Sequence, residues 1–404
     1  MMRFADSGMC SAALILLAAT FVPVSLPAQE PETTGEFPRY SEHFRVFTGD
    51  GASASLDEIV RAMANVDVVL VGEIHTDPVG HWVESELFRR AVALTGAGEE
   101  SGPSRPLALS LEMFERDVQS IVDEYLQGFI TESHFKASAR PWEHYDADYR
   151  PMVEKAKEAG VPVIAANAPR RYVNRVSRMG PGSLSALPAS ARAHLPPLPY
   201  PEPTQAYRDE WNALMANMSM ESQCPAPEEE KKEGEESAMG HPPADSIHAP
   251  PAGMHRMPPA GIRADSAAGE DRPHGPPAGM PPDSASAGMP PMGGSFMENG
   301  LYAQTLWDAS MAHAITSFLD AHPGALVLHM VGGFHVKNFT GTPEKVEFYR
   351  PGTRRMVVHM ETAEDFTVFD AEEHAGRGDF VILTDEALDL NYQRNCVDQE
   401  GGSQ

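Results

Sequence analysis

Four runs of apolar residues punctuate the chain, and each ends in a small polar cluster. VDVVLV at 66–71 leads into Gly72-Glu73-Ile74-His75, and LALSL at 107–111 into Glu112-Met113-Phe114. VPVIAA at 161–166 leads into Asn167, and ALVLHMV at 325–331 into Gly332-Gly333-Phe334-His335. Short continuous apolar runs of this kind predict strands buried on both faces. Between them the period lengthens to that of a helix. Val83, Leu87, Ala91 and Leu94 share one face; so do Val118, Ile121, Val122, Tyr125, Leu126 and Phe129, and later Trp307, Met311, Ala314, Ile315 and Phe318. Asp77 can cap the first of these helices, with Pro78 at its opening position. The alternation predicts an α/β fold, with a mainly parallel central sheet flanked by helices. KVEFYRP, RMVVHM and DFVILTDEAL are expected to be later strands, and the stretch from Arg171 to Met220 a small helical lobe.

In a parallel sheet the ligand site lies beyond the carboxyl ends of the strands. Glu73, His75, Glu112, Asn167 and His335 are therefore expected to converge, although they are scattered along the sequence. His75, Glu73, Glu112 and His335 have the donor chemistry for a divalent Mn, Co, Zn or Fe ion, with Asn167 or a carboxylate left to handle water or substrate. The same Glu73, His75, Glu112 and His335 could act as general acids and bases without a metal. A blander reading pairs the two glutamates with Arg170 or Arg171 and ties the two histidines to backbone. The repetition of G-x-x-H at two strand ends favours a shared site. His81 and His134, away from the strand ends, read as structural. Neither an H-E-x-x-H helix nor a nucleophile elbow is present.

Composition divides the chain. Residues 222–299 hold fifteen of its 36 prolines, and no aromatic residue lies between Trp211 and Phe296. Such a stretch cannot bury enough apolar area to offset its ordering entropy, so a disordered Pro/Met/His-rich insert is expected there. Its His241, His248, His255 and His274, with Met239, Met254, Met257, Met280, Met289 and Met292, could hold a soft ion such as Cu(I). The alternative, weighted more heavily, is a drifting repeat around PPAGM. One arginine before the apolar run Ala12–Val24, and small residues at Ala28, predict a cleaved signal peptide at 1–28 and an exported protein, periplasmic or secreted, without a lipobox or membrane anchor. Cys224 and Cys396 then remain, too few for a disulfide framework. The expected organisation is an α/β domain in two parts, 45–221 and 300–390, the insert 222–299 and a flexible tail 391–404. With 31 Lys+Arg against 58 Asp+Glu the formal charge is −27, which argues against nucleic acid as a partner.

GEIHTDPVGH, LSLEMFERDVQ, the W-x-x-Y-x-x-x-Y-x-P run from Trp142 to Pro151, PVIAANAPRR, QTLWDASMA and MVGGFHVKNF together resemble the ChaN family of haem-binding uptake proteins, in the superfamily of the Tiki and TraB proteins. The resemblance runs from about Val66 to His335. It implies an α/β fold, haem or an iron-containing small molecule as ligand, and a role in bacterial haem or iron uptake, with outer-membrane uptake machinery and a second copy of the chain as partners. His75 and His335 match the signature histidines, and Glu73 and Glu112 the acidic positions. Haem binding in the family looks tyrosine-based; Tyr145, Tyr149, Tyr207 and Tyr302 are candidates, and Tyr145, Tyr149, Asn167 and Arg170 are the expected cofactor contacts. The Tiki branch implies the alternative, a metal-dependent peptide or ester hydrolase. The lipoprotein cysteine common in the family is missing.

Overall fold

The computed structural model describes residues 40–99, 104–218 and 294–388. The expected signal peptide, the Met/His array with Cys224, and the tail with Cys396 lie outside the described residues.

Eight strands form one sheet: β1 (Phe44–Thr48), β2 (Ser53–Ala54), β3 (Val68–Glu73), β4 (Leu107–Glu115), β5 (Val163–Asn167), β6 (Leu326–Gly332), β7 (Arg355–Ala363) and β8 (Phe380–Asp385). Their spatial order is β2-β1-β8-β7-β3-β6-β4-β5. All neighbours from β8 to β5 run parallel. Only β1, paired to β8 and to β2, is antiparallel. The fold is α/β, as the alternation predicts.

The two-residue repeat of each strand divides its side chains between two core layers. Val69, Val71, Leu109, Leu111, Leu328 and Met330 face the layer covered by the Pro78–Thr95, Gln119–Leu126 and Arg150–Glu158 helices. Val68, Leu70, Ala108, Val327 and Val331 face the Gly294–Ala321 helix through Met311, Ala314 and Ile315. Burial on both faces is why these strands read as nearly continuous apolar runs, broken only by the buried pair Ser110 and His329. The predicted cap is present: Asp77 accepts from Val79 N at 2.8 Å, and Pro78 opens the helix.

Two expectations are corrected. KVEFYRP lies in a helix, Thr342–Tyr349, not a strand. Pro343 sits in its first turn, and burial falls on Thr342, Lys345 and Val346 while Phe348 is 62% exposed, a spacing that belongs to a helix. The long helix begins at Gly294, inside the stretch expected to be disordered. The expected lobe contains the Arg170–Met179, Ala189–Arg192 and Gln205–Met218 helices.

Candidate functional site

Glu73 closes β3, Glu112 lies near the end of β4, Asn167 closes β5, and His335 follows β6 on a short 3₁₀ turn, Gly333–His335. Parallel register brings these ends together: Glu73 is opposite Gly332, and Leu111 opposite both Met330 and Ala165. Beyond Leu111 the β4–β5 register shifts so that Glu115 faces Asn167, a bulge spanning Glu112. Bulges re-aim side chains at such points, and here Glu112 enters a cleft of about 680 Å³ with His75, His335 and Asn167. Three aromatic rings stand against the histidines: Trp142 meets the His75 ring edge-on at 4.8 Å, and Trp307 and Phe334 flank His335.

Each motif histidine has a carboxylate behind it. His75 Nδ1 donates to Glu73 Oε1 at 2.7 Å, and His335 Nδ1 to Asp308 Oδ1 at 2.8 Å. These bonds orient both rings and turn each Nε2 away from its carboxylate partner, where a ligand would take the place of any proton held there. His335 Nε2 lies 3.9 Å from Glu112 Oε1, and Glu112 Oε2 accepts from Gly332 N at 2.8 Å. The His75 side chain is 41% exposed, whereas that of His335 is 6% exposed.

The two glycines of the repeated motif interlock. A Cβ on Gly332 would lie 2.7 Å from His75 Nε2. One on Gly72 would lie 2.4 Å from Val336 Cγ2 and 3.1 Å from Gly333 Cα. Each motif thus provides the space that the other fills, a packing reason for glycine at both strand ends.

The electrostatics follow from this pairing. Burial disfavours charge on His335, but Asp308 outweighs it and lifts the imidazole to about 9. Burial likewise opposes charge on His75, and the Glu73 hydrogen bond raises it overall. Burial opposes ionisation of Glu73, yet the His81 and His75 imidazoles hold its carboxylate well below the ordinary range.

Not every expected residue reaches the cleft. Asn167 and Arg170 line it, with Arg170 stacked on Trp142 at 5.5 Å. Tyr145 and Tyr149, expected as cofactor contacts, are packed inside, 2% and 1% exposed, and Tyr207 is fully buried. Tyr149 donates its hydroxyl to Glu73 Oε1 at 2.8 Å, and Tyr302 donates to Glu202 at 2.5 Å, lining a separate pocket. None of the four offers a free phenol oxygen to the cleft, because core packing or a carboxylate has already taken it. The blander pairing is not found either: Arg171 bonds Asp117, and Arg170 lies 3.9 Å from Glu115. His134 is exposed.

Two residues at the back of the site were not anticipated. Asp308 is buried and also accepts from Thr342 Oγ1 at 2.9 Å; a lone acid on the apolar face of WDASMA was its signal. His81, read as structural by its distance from the strand ends, lies 3.0 Å from Glu73 Oε2. The Asp77-Pro78 start could have revealed it. In a strand–helix unit the first helical turn sits at the strand's carboxyl end, so a histidine three residues into the helix stays beside the site.

A family model described as haem-binding uptake, Tiki superfamily, ChaN, matches residues 59–346. The chain belongs to the ChaN family. Among solved structures, one described as "Cofacial heme binding to ChaN of Campylobacter jejuni" aligns over 85% of this chain and 97% of that one, at 13% identity and a TM-score of 0.51. That likeness establishes the shared fold. The type III effector HopBA1 aligns over 82% of this chain and 93% of its own, at 10% identity and a TM-score of 0.36. No curated protein matches the chain. In this ChaN-family chain the matched region contains both G-x-x-H motifs and the whole set of strand ends around the cleft. Among the described residues no helix is long and apolar enough to cross a membrane.

Proposed function

We propose that the protein is an exported haem-binding component of bacterial haem or iron uptake, and that it takes haem into the cleft at the ends of β3, β4, β5 and β6. The observation that carries this reading is the His75 side chain. Its Nδ1 is committed to Glu73, its ring is partly exposed, and Nε2 remains as a nitrogen donor between aromatic walls. A histidine whose other nitrogen donates to a carboxylate is a strong axial donor for haem iron. The volume lies within the range usual for cofactor sites. Arg170 at the rim would pair with the ligand's carboxylates. When bound, haem would supply an iron centre; the chain's own part would be to hold it through His75 and Arg170 and to shield it between Trp142, Trp307 and Phe334. A dimer and contact with outer-membrane uptake machinery extend this reading from the family, and export from the leader at 1–28.

Haem titration of the mature chain should give a shifted Soret band, lost or displaced in His75→Ala and retained in Tyr149→Phe. A wild-type chain that leaves the Soret band of free haem unchanged would overturn the reading. An unchanged complex in His75→Ala would move the ligand elsewhere.

The second reading, a metal-dependent hydrolase, draws on both histidines having carboxylates behind them and on Glu112 near His335 Nε2. It predicts metal-stimulated hydrolysis abolished in His335→Ala.

A further inference from the structure

Next to the cleft, which Glu73 lines, Glu73, His81, Glu84 and Asp148 pack together, and all four are buried. Donor atoms of Glu73, His81 and Glu84 lie within 4.8 Å of one another; among the described residues no other such group of three His, Cys, Asp or Glu is found. His81 Nδ1 is 3.0 Å from Glu73 Oε2 and 3.4 Å from Glu84 Oε2. His81 Nε2 donates to the His75 carbonyl at 3.1 Å, with Asp148 Oδ2 at 3.6 Å. A metal-binding histidine is oriented in this manner, with one ring N–H tied to a backbone carbonyl and the other nitrogen turned towards the remaining donors.

Two further observations point to a cation. No lysine or arginine among the described residues pairs with Glu73 or Glu84. The fully buried Glu84 leaves Oε1 without a hydrogen bond, and Glu73 Oε2 meets His81 Nδ1 outside hydrogen-bond geometry. Buried carboxylates are ordinarily paired, protonated or bound to metal.

We propose that Glu73, His81 and Glu84 form a buried site for one divalent ion of the class taken by mixed nitrogen and oxygen donors, such as Mn(II), Co(II) or Zn(II). It shares Glu73 with the cleft, whereas His81 and Glu84 do not line the cleft, and it does not depend on the haem reading. In the ion-free protein, protons do the neutralising. Burial and the Glu73 charge push Glu84 well above the ordinary carboxyl range, and Glu73 likewise outweighs burial to raise His81 well above its own. The ion takes the place of the proton on His81 Nδ1 and of the proton on Glu84, and both are released to solvent. Held there, it joins the end of β3 to the first turns of the Pro78–Thr95 helix, directly behind the carboxylate that orients His75.

The test uses the full chain, haem-free, stripped with chelator and titrated with Co(II), read by visible absorption and metal analysis. One tightly bound Co(II) per chain is expected. Affinity should fall at least 100-fold in Glu84→Gln and stay within threefold of wild type in His335→Ala, which removes an imidazole from the cleft. No tight binding by wild type, wild-type affinity in Glu84→Gln, or loss in His335→Ala would each overturn the site. Should Glu84→Gln not fold, X-ray absorption of the wild-type Co(II) complex decides. One imidazole in an oxygen shell is the result expected; two imidazoles, or any sulfur, would place the ion in the cleft or the Met/His segment and overturn the proposal.

Discussion

The smallest change that should disable the cleft is one methyl group. Gly332→Ala would set a Cβ 2.7 Å from His75 Nε2 and 2.8 Å from Cε1, closer than real Cβ contacts allow, so the ring must leave its place. Backbone strain is not the issue, since Gly332 has φ −55°. The effect should therefore fall on binding: haem affinity lower by roughly 10- to 100-fold, the range seen when the orientation of a metal-binding side chain is disturbed, with melting temperature nearly unchanged. His335 gives a pH signature. Its folded-state value of about 9 lies above the ordinary imidazole value of about 6.5, so the charged form is the one the fold stabilises. That contribution, on the order of 3 kcal/mol, is fully present below about pH 6.5 and is lost as pH rises through about 9. Urea denaturation at pH 6.5 and 9.5 should show this loss in the wild type and a much smaller one in Asp308→Asn, which lacks the charge that holds the imidazolium.

At the scale of elements, the start of the Pro78–Thr95 helix is fastened twice. Asp77 Oδ1 caps the helix through Val79 N, and Asp77 Oδ2 accepts from Thr384 Oγ1 on β8 at 2.7 Å. Asp77→Ala removes the cap, worth about 1 kcal/mol, and deprives a buried hydroxyl of its best acceptor, worth roughly another 1 kcal/mol. Equilibrium unfolding should show a loss of about 2 kcal/mol, and the double change with Thr384→Val should cost less than the sum of the two single changes. This fastening was half legible in the sequence. The cap and the opening proline are local signals; the tie to Thr384, 307 residues away, is not. The same division holds across the fold. β3, β4, β5 and β6 are readable because burial on both faces makes them almost wholly apolar up to their carboxyl ends, Ser110 and His329 being buried exceptions that bond each other, and the cleft follows from those ends. The Thr342–Tyr349 helix was misread because Val346 and Phe348 alternate like a strand, although only Val346 is buried. The bulge that aims Glu112 depends on pairing with β5, and the enclosure of Tyr149 on contact with Glu73, which no local pattern encodes.

For the molecule as a whole, the question is whether the 75 residues between Met218 and Gly294 belong to the binding unit. The described residues on either side already meet. Trp211 packs so closely on Gly300 that a Cβ there would lie 2.9 Å from the indole, and Tyr207, Trp211 and Leu301 form a small core against Phe334 beside the cleft. The Gln205–Met218 and Gly294–Ala321 helices are therefore joined by their own packing. Closing a long loop costs entropy that grows only with the logarithm of its length, so shortening the connection to about ten residues should gain roughly 2 kcal/mol, provided the linker is not strained. A chain with 219–293 replaced by such a Gly/Ser linker is expected to melt no lower than wild type and to bind haem with the same Soret shift. Unchanged melting with lost haem binding would mean that the segment supplies part of the ligand site. Lower melting would instead mean that it packs on the α/β domain, contrary to its proline-rich, aromatic-poor composition. The experiment thus separates two roles that composition cannot: a connection that the fold tolerates, and a part of the site that the strand ends do not provide.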